Sequence, residues 1–424
     1  MIDISNKSDT IELLSKYKML EVSHMKYAFA KRIRHLQSSA IRDILKVVGR
    51  GDIISFAGGL PDDELFPIEG IEESFAKVFE SGKKSLQYTE TEGYLPLREV
   101  ILERMSRKGI TSYSAENVML TTGSQQVIDL FSRVMLNPGD VILTEDPTYL
   151  AALQVFKSYE AKVVAVASDD NGMLPDDLER KMKQYKPKAI YVVPTFSNPA
   201  GRVWSLERRQ QLLSQAEKGN VIILEDDPYG DIQFRQDETY TPLAALDDGT
   251  QVLYTSTFSK TAVPALRTGW VAGPFQVIRM MAQAKQANDL HSNSLSQQAL
   301  YQLCMHFDLD AHIQQLIRVY ESRMNMMVHC IEQANIEGLR FVKPKGGMFL
   351  WLELAPEINT TALLPEAVEA GVAYVPGEPF YADVAQKNTM RLNYTHATPE
   401  KIEHGMGLLL DLLKEKSKNP HIFS

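Results

Sequence analysis

Cysteine is almost absent. Cys304 and Cys330 are the only two in 424 residues, and their spacing suits neither a disulfide framework nor a thiolate metal site. No apolar run approaches the roughly 18 residues that a membrane-spanning helix needs. Residues 1–20 are polar and mixed in charge, with no basic segment feeding an apolar one, so no secretory signal is expected and a cytoplasmic location is. Lys and Arg number 45 against 54 Asp and Glu, and the net charge of −9 argues against nucleic acid or an anionic membrane as the main partner. No G-x-G-x-x-G follows the first strand-like run and no G-x-x-x-x-G-K-[ST] occurs, so a nucleotide-binding fold lacks support. The nine histidines show no ligand spacing alongside a carboxylate, and metal catalysis is not expected. Ser81-Gly82-Lys83-Lys84 fits S-x-x-K without the S-D-N or K-T-G that should accompany it, and reads as a surface loop.

What is present is ordinary for a globular chain: 44% hydrophobic and 23% charged residues, with 24 Gly and 20 Pro scattered without a period. Helical periodicity runs from about 25 to 48, followed by a strand-like run at 53–56 and Gly58-Gly59-Leu60-Pro61. Short apolar runs at 118–120, 141–143, 162–166, 189–193, 221–224, 252–255 and 269–271 then alternate with helical stretches, including 124–136, 148–159 and 206–217. That alternation predicts βαβ units and a mostly parallel sheet. After Gly273 the texture changes to a long helical region, 276–333, then strands near 341–342, 348–353, 372–375 and 390–394, and a terminal helix over 399–416. The division expected is an N-terminal arm and helix over 1–60, a large domain over 61–305 and a smaller α+β domain over 306–424.

Ligands in an open parallel sheet bind beyond the carboxyl ends of the strands. The residues there are Gly123-Ser124-Gln125, Asp146-Pro147-Thr148-Tyr149, Ser197-Asn198-Pro199, Asp226-Asp227-Pro228-Tyr229 and Thr257-Phe258-Ser259-Lys260, with Arg267 seven residues further on. Gly123-Ser124 opens a helix, whose free N–H groups welcome an anion, although Gly and Ser are also ordinary helix starters. Lys260, behind two hydroxyl residues and near Arg267, is either a nucleophilic amine in a dry pocket or a solvated loop lysine. Asp226 and Tyr229 either polarise one ring from two sides or cap a helix. Asn198-Pro199 is a ligand contact or a turn. Arg391, amid apolar neighbours, reads as a carboxylate clamp or as half of a structural ion pair.

Taken together, this ordered set resembles the fold-type I pyridoxal-phosphate aminotransferases, the aspartate aminotransferase superfamily. Gly58-Gly59-Leu60-Pro61, Gln87-Tyr88, Gly93-x-x-x-Leu97-Arg98, Lys345-Gly346-Gly347-Met348-Phe349 and the 38–46 helix resemble its kynurenine/2-aminoadipate branch in particular. Thr257 stands where the family more often has serine, which keeps the hydroxyl. The resemblance implies an α/β fold of the aspartate aminotransferase type, with a seven-stranded, mostly parallel sheet in the large domain. It implies pyridoxal 5′-phosphate as cofactor and transfer of an amino group from an L-amino acid to a 2-oxo acid such as 2-oxoglutarate.

By the same resemblance Lys260 binds the cofactor aldehyde and moves the substrate proton, while Asp226 pairs with the pyridine nitrogen. Asn198 and Tyr229 meet the ring's phenolic oxygen, and Tyr149 stacks on the ring. Ser124, Gln125, Thr257, Ser259 and Arg267 hold the phosphate. Arg391 takes the α-carboxylate and Gly59 lets backbone approach the substrate. Tyr88 reaches the phosphate of a neighbouring subunit, which implies a homodimer. Arg42 would meet an acidic side chain. A lyase or decarboxylase of the same fold would reuse these residues. Regulators with an aminotransferase-like sensor domain also resemble the chain past Gly58, but they carry a winged helix, and the first 57 residues show no recognition-helix and basic-wing pattern.

Overall fold

The computed structural model describes residues 29–33, 44 and 53–418. The helix expected over 25–48 therefore lies largely outside the described residues. Lys31–Ile33 form one 3-10 turn, and Ile44 is helical and buried. The strand expected at 53–56 is β1 (Ile54–Ser55).

Each of the seven apolar runs is a strand, with ends within two residues of the sequence pattern. They are β2 (Val118–Thr121), β3 (Val141–Glu145), β4 (Lys162–Val166), β5 (Ala189–Val192), β6 (Ile222–Asp226), β7 (Val252–Thr257) and β8 (Gly269–Ala272). They form one sheet in the order β2-β8-β7-β6-β5-β3-β4. Only β8 runs antiparallel to its neighbours. Helices cover both faces, so these strands are apolar at successive positions rather than alternating with polar ones. Period-two geometry divides each strand between two cores. Leu120, Leu143, Ile190, Ile223 and Val252 join one, while Met119, Ile142, Tyr191, Leu224 and Leu253 join the other.

The region expected to be helical over 276–333 is three helices: Phe275–Asp289, Ser294–His306 and Leu309–Ala334. Two of them begin with Asn293 and Asp308, whose side chains accept from the N–H groups of Ser296 and Ala311 and so start new helices. A second sheet follows, of β9 (Arg340–Phe341), β10 (Phe349–Glu353), β12 (Val375–Pro376) and β13 (Thr389–Asn393), antiparallel in the order β9-β10-β13-β12. The single strand expected over 372–375 is two pieces, because Val372–Ala373 (β11) leaves the sheet and pairs in parallel with β1. That pairing carries 54–55 onto the C-terminal unit. The terminal helix is Pro399–Lys418. No described helix is long and apolar enough to cross a membrane.

Candidate active site

The carboxyl ends of the parallel strands converge on one cavity of about 240 Å³. β2 delivers Gly123, Ser124 and Gln125, the last two opening the helix Ser124–Met135. The chain beyond β3 delivers Tyr149, that beyond β5 delivers Asn198, and β6 ends on Asp226 with Tyr229 following. β7 ends on Thr257, ahead of Ser259 and Lys260. Since β8 runs the other way, its start lies at this same end, which is how Arg267 arrives beside Ser259. Gly59 and Arg391 complete the wall from β1 and β13.

Twelve of the fourteen residues singled out in the sequence therefore line one cavity. Tyr88 does not: it is 77% exposed, with its ring edge-on to His291 at 5.6 Å. Arg42 lies outside the described residues. Sequence reasoning assigned no part to Phe349, Val193 or Pro228, which also line the cavity. Phe349 was visible only as the last residue of Lys345-Gly346-Gly347-Met348-Phe349. Its contact with the Tyr229 ring, edge-on at 5.7 Å, depends on bringing the two sheets together.

One end of the cavity is built for an anion. Thr257 Oγ1 donates to Ser259 Oγ at 2.9 Å, and Arg267 Nη1 donates to that same oxygen at 3.2 Å. The helix opening at Ser124 adds unpaired N–H groups and the positive end of its dipole. Gly123 sits at φ 74°, and a Cβ there would come within 2.5 Å of Arg267 Nη2, so the arginine packs against bare backbone.

Further in lies the amine. Lys260 Nζ donates to the Gly59 carbonyl at 2.8 Å. Burial, followed by the charges of Arg391 and Arg267, brings its pKa down from the lysine range to about 8. That is the dry, cation-flanked setting in which a lysine becomes a nucleophile.

Asp226 occupies the floor. Side-chain alternation turns Glu225 and Asp227 to the opposite face. There Glu225 accepts from the N–H groups of Leu243 and Ala244, and Asp227 from the Tyr254 hydroxyl at 2.7 Å. Asp226 Oδ2 accepts from Tyr191 at 2.8 Å, whereas its buried Oδ1 meets no partner among the described residues. Burial raises this carboxyl to about 7. A buried carboxylate oxygen left bare in a cavity wall fits a cationic ring nitrogen.

Arg391 is 1% exposed. Its Nη1 and Nη2 donate to Asn198 Oδ1 and the Ala57 carbonyl, each at 2.7 Å. Among the described residues no carboxylate pairs with it and its Nε has no acceptor. Burial lowers its pKa to about 10.

An anion cradle, a depressed lysine, a bare carboxylate oxygen and an unpaired arginine in one cavity fit a phosphorylated pyridine aldehyde and a substrate carboxylate. The family model for aminotransferase class I and II matches residues 52–409. The aromatic-amino-acid aminotransferase 1 of Thermococcus litoralis is 42% identical over 412 residues, 96% of this chain and 98% of its own length. The solved kynurenine aminotransferase of Pyrococcus horikoshii is 41% identical with a TM-score of 0.87, covering 92% of this chain and 97% of that one. The α-aminoadipate aminotransferase of Thermus thermophilus, solved with N-(5′-phosphopyridoxyl)-L-leucine, is 34% identical with a TM-score of 0.85, covering 91% and 97%.

The chain belongs to the class I and II aminotransferases. It is an enzyme of the transferase class, it has the aspartate aminotransferase-like fold, and its cofactor is pyridoxal phosphate.

Proposed function

We propose that the enzyme moves the amino group of aromatic, 2-aminoadipate or branched-chain L-amino acids to a 2-oxo acid, with 2-oxoglutarate as the shuttle. The observation that carries the reading is Arg391, a buried guanidinium with no carboxylate partner among the described residues. Its fork matches an α-carboxylate bidentately.

The bound pyridoxal phosphate supplies an electron sink for the charge left on Cα when a proton departs. The chain's own residues do the rest. Arg267, Ser259, Thr257 and the N–H groups of Ser124 and Gln125 hold the phosphate. Asp226 holds the ring nitrogen through Oδ1. Asn198 and Tyr229 meet the phenolic oxygen, and Tyr149 covers the ring. Lys260 anchors the aldehyde carbon, then carries the proton that leaves Cα. In the apoenzyme burial and the two arginines lower its pKa to about 8, so a share of the amine is neutral and able to take up a proton near neutrality.

The donor range follows from the walls. Phe349, Tyr149 and Tyr229 give the cavity aromatic surface, and Arg42 is proposed for acidic side chains. Relatives named for aromatic amino acids, kynurenine and α-aminoadipate, one of them bearing a leucine adduct, span the same range. They match nearly end to end as enzymes, which favours catalysis over a sensor role. Tyr88, exposed in the single chain, suits a contact made to a second copy, so a homodimer is proposed, in the cytoplasm. Division at residues 60 and 305 is proposed as well, and the pairing of β1 with the C-terminal β11 supports setting the N-terminal segment apart from the large domain.

A half-reaction screen tests the reading. The cofactor-loaded enzyme is mixed with each L-amino acid in turn, and conversion of the cofactor to its amine form is followed by absorbance. Conversion by aromatic donors, 2-aminoadipate and glutamate is expected, with recovery on adding 2-oxoglutarate. Release of carbon dioxide without conversion overturns it in favour of a decarboxylase.

A further inference from the structure

Tyr191 lines no part of the cavity, yet it makes the one hydrogen bond that Asp226 receives among the described side chains. The register explains the contact. Tyr191 lies directly opposite Leu224 on the neighbouring strand, and Asp226, two residues on, lies diagonally across the same face. The tyrosine is fully buried, and its ring sits edge-on against Phe156 at 5.5 Å. Ladder bonds hold its strand on both sides, to β3 and β6.

We propose that Tyr191 is a positioning residue that fixes the Asp226 carboxylate from behind and favours its charged form, so that Oδ1 is presented to the cofactor's ring nitrogen. The proposal rests on the reading of Asp226 given above and deepens it.

Each oxygen of a carboxylate needs a donor once it is buried. Tyr191 supplies one to Oδ2 and leaves Oδ1 bare. Burial pushes the phenol's own pKa well up, so Tyr191 stays protonated and donates. A donor favours the charged carboxylate and opposes the rise that burial imposes on Asp226. The other groups near Asp226 do not do this. Asp227 raises it further, although Lys108, 3.4 Å from Asp227, offsets that charge. Tyr149 and Tyr229 face Asp226 from the cavity side, and Glu145 faces Tyr191. Among the described residues Tyr191 is thus the one neighbour that stabilises the charged state by a direct side-chain bond.

Losing the bond raises the Asp226 pKa and weakens its hold on a protonated ring nitrogen, so that nitrogen loses its proton at lower pH. The shift expected is roughly one to two pH units, the span of a hydrogen bond to a charged group. Tyr191→Phe keeps the ring and its packing. It is loaded with 15N-labelled pyridoxal phosphate beside the unmodified holoenzyme, Asp226→Asn and the double variant. The nitrogen shift is followed over pH, and single-turnover rates with one good donor are measured.

The proposal expects nitrogen deprotonation at lower pH in Tyr191→Phe and a rate lower by roughly tenfold or more. In the Asp226→Asn background the same change should cost less than about twofold, because nothing remains to position. An unchanged nitrogen titration, or an equal loss in both backgrounds, overturns it. A nitrogen still protonated in Asp226→Asn overturns the Asp226 reading instead, and the two failures are thereby told apart.

Discussion

Arg391 Nη1 donates to Asn198 Oδ1 at 2.7 Å, across 193 positions of chain. The bond ties β13 of the smaller sheet to the loop beyond β5 of the larger one. Its Nη2, on the Ala57 carbonyl at 2.7 Å, adds the segment after β1. The guanidinium also lies over the rings of Phe349 and Phe380, at 4.3 and 5.2 Å. A flat, weakly hydrated cation suits such surfaces better than an ammonium does.

Arg391→Lys therefore keeps the charge and loses the fork. The kcat/KM for amino donors should fall by roughly a hundredfold or more, about 3 kcal/mol. Cofactor affinity should hardly change. Steady-state kinetics beside a cofactor titration separate the two, and equal losses in both mean that the arginine holds the walls together rather than the donor.

Lys260 sets a pH dependence. Burial, then Arg391 and Arg267, place its pKa near 8. In the role proposed for Lys260 the neutral amine attacks the aldehyde, so attachment of pyridoxal phosphate to apoenzyme should quicken as pH rises through about 8 and level off above it. At pH 7 roughly one amine in ten is then neutral, against fewer than about one in a thousand for an ordinary lysine. Stopped-flow attachment rates test this, and a midpoint near 10 contradicts it. Lys260→Ala should show no borohydride-reducible attachment at any pH.

The buried acids set another. Asp226, Glu145 and Glu225 are each raised to about 7, in every case chiefly by burial. Their folded pKa values lie above the unfolded ones, so the folded apoenzyme holds more protons between about pH 4 and 7. Its stability should fall as pH rises through that window. Asp226→Asn removes one such group and should flatten the slope by at most about 1.4 kcal/mol per pH unit. Denaturant unfolding of apoenzyme at several pH values measures it, and an unchanged slope means that Asp226 does not titrate there.

Much of this was legible in the sequence because strand ends write themselves locally. An apolar run followed by Gly123-Ser124, by Asp226, or by Ser259-Lys260 places those residues at one sheet end whatever the details. The strand order did not have to be known. Contacts between strands were illegible for the same reason. Tyr191 reads as one more apolar-run residue until register sets it diagonal to Asp226. Phe349 gains its place against Arg391 only through the register of β10 and β13, which sets the two diagonally across one face, and its contact with Tyr229 only when the second sheet meets the first. The splitting of 372–375 likewise needed β1, more than 300 residues away, to claim β11.

Arg42 is proposed, from the resemblance to the 2-aminoadipate branch, as the cation for an acidic side chain. Arg42→Ala should raise KM for glutamate and 2-aminoadipate by a factor worth about 1.5–3 kcal/mol, that of a charge-assisted contact. Leucine and aromatic donors should be nearly unaffected. KM values for the four donors decide it, and equal losses across them assign Arg42 a structural part.

Two glycines separate the cradle's geometry from backbone strain in general. Gly123 has φ 74° and ψ 166°, a conformation open in practice only to glycine. Its missing Cβ also leaves room for Arg267, whose Nη2 would stand 2.5 Å from it. Gly139 has φ 87°, and a Cβ there would meet nothing within 4 Å. Alanine at either position should cost stability, about 1 kcal/mol at Gly139 and more at Gly123. Only Gly123→Ala displaces a guanidinium from Ser259 Oγ, now 3.2 Å away. Its affinity for pyridoxal phosphate should therefore fall about tenfold or more, the worth of a charge-assisted phosphate contact, while that of Gly139→Ala stays unchanged. Thermal unfolding of both apoenzymes and equilibrium titration with the cofactor provide the comparison. Matching cofactor affinities in the two variants, with Gly123→Ala folded, would show that Arg267 is not what grips the phosphate.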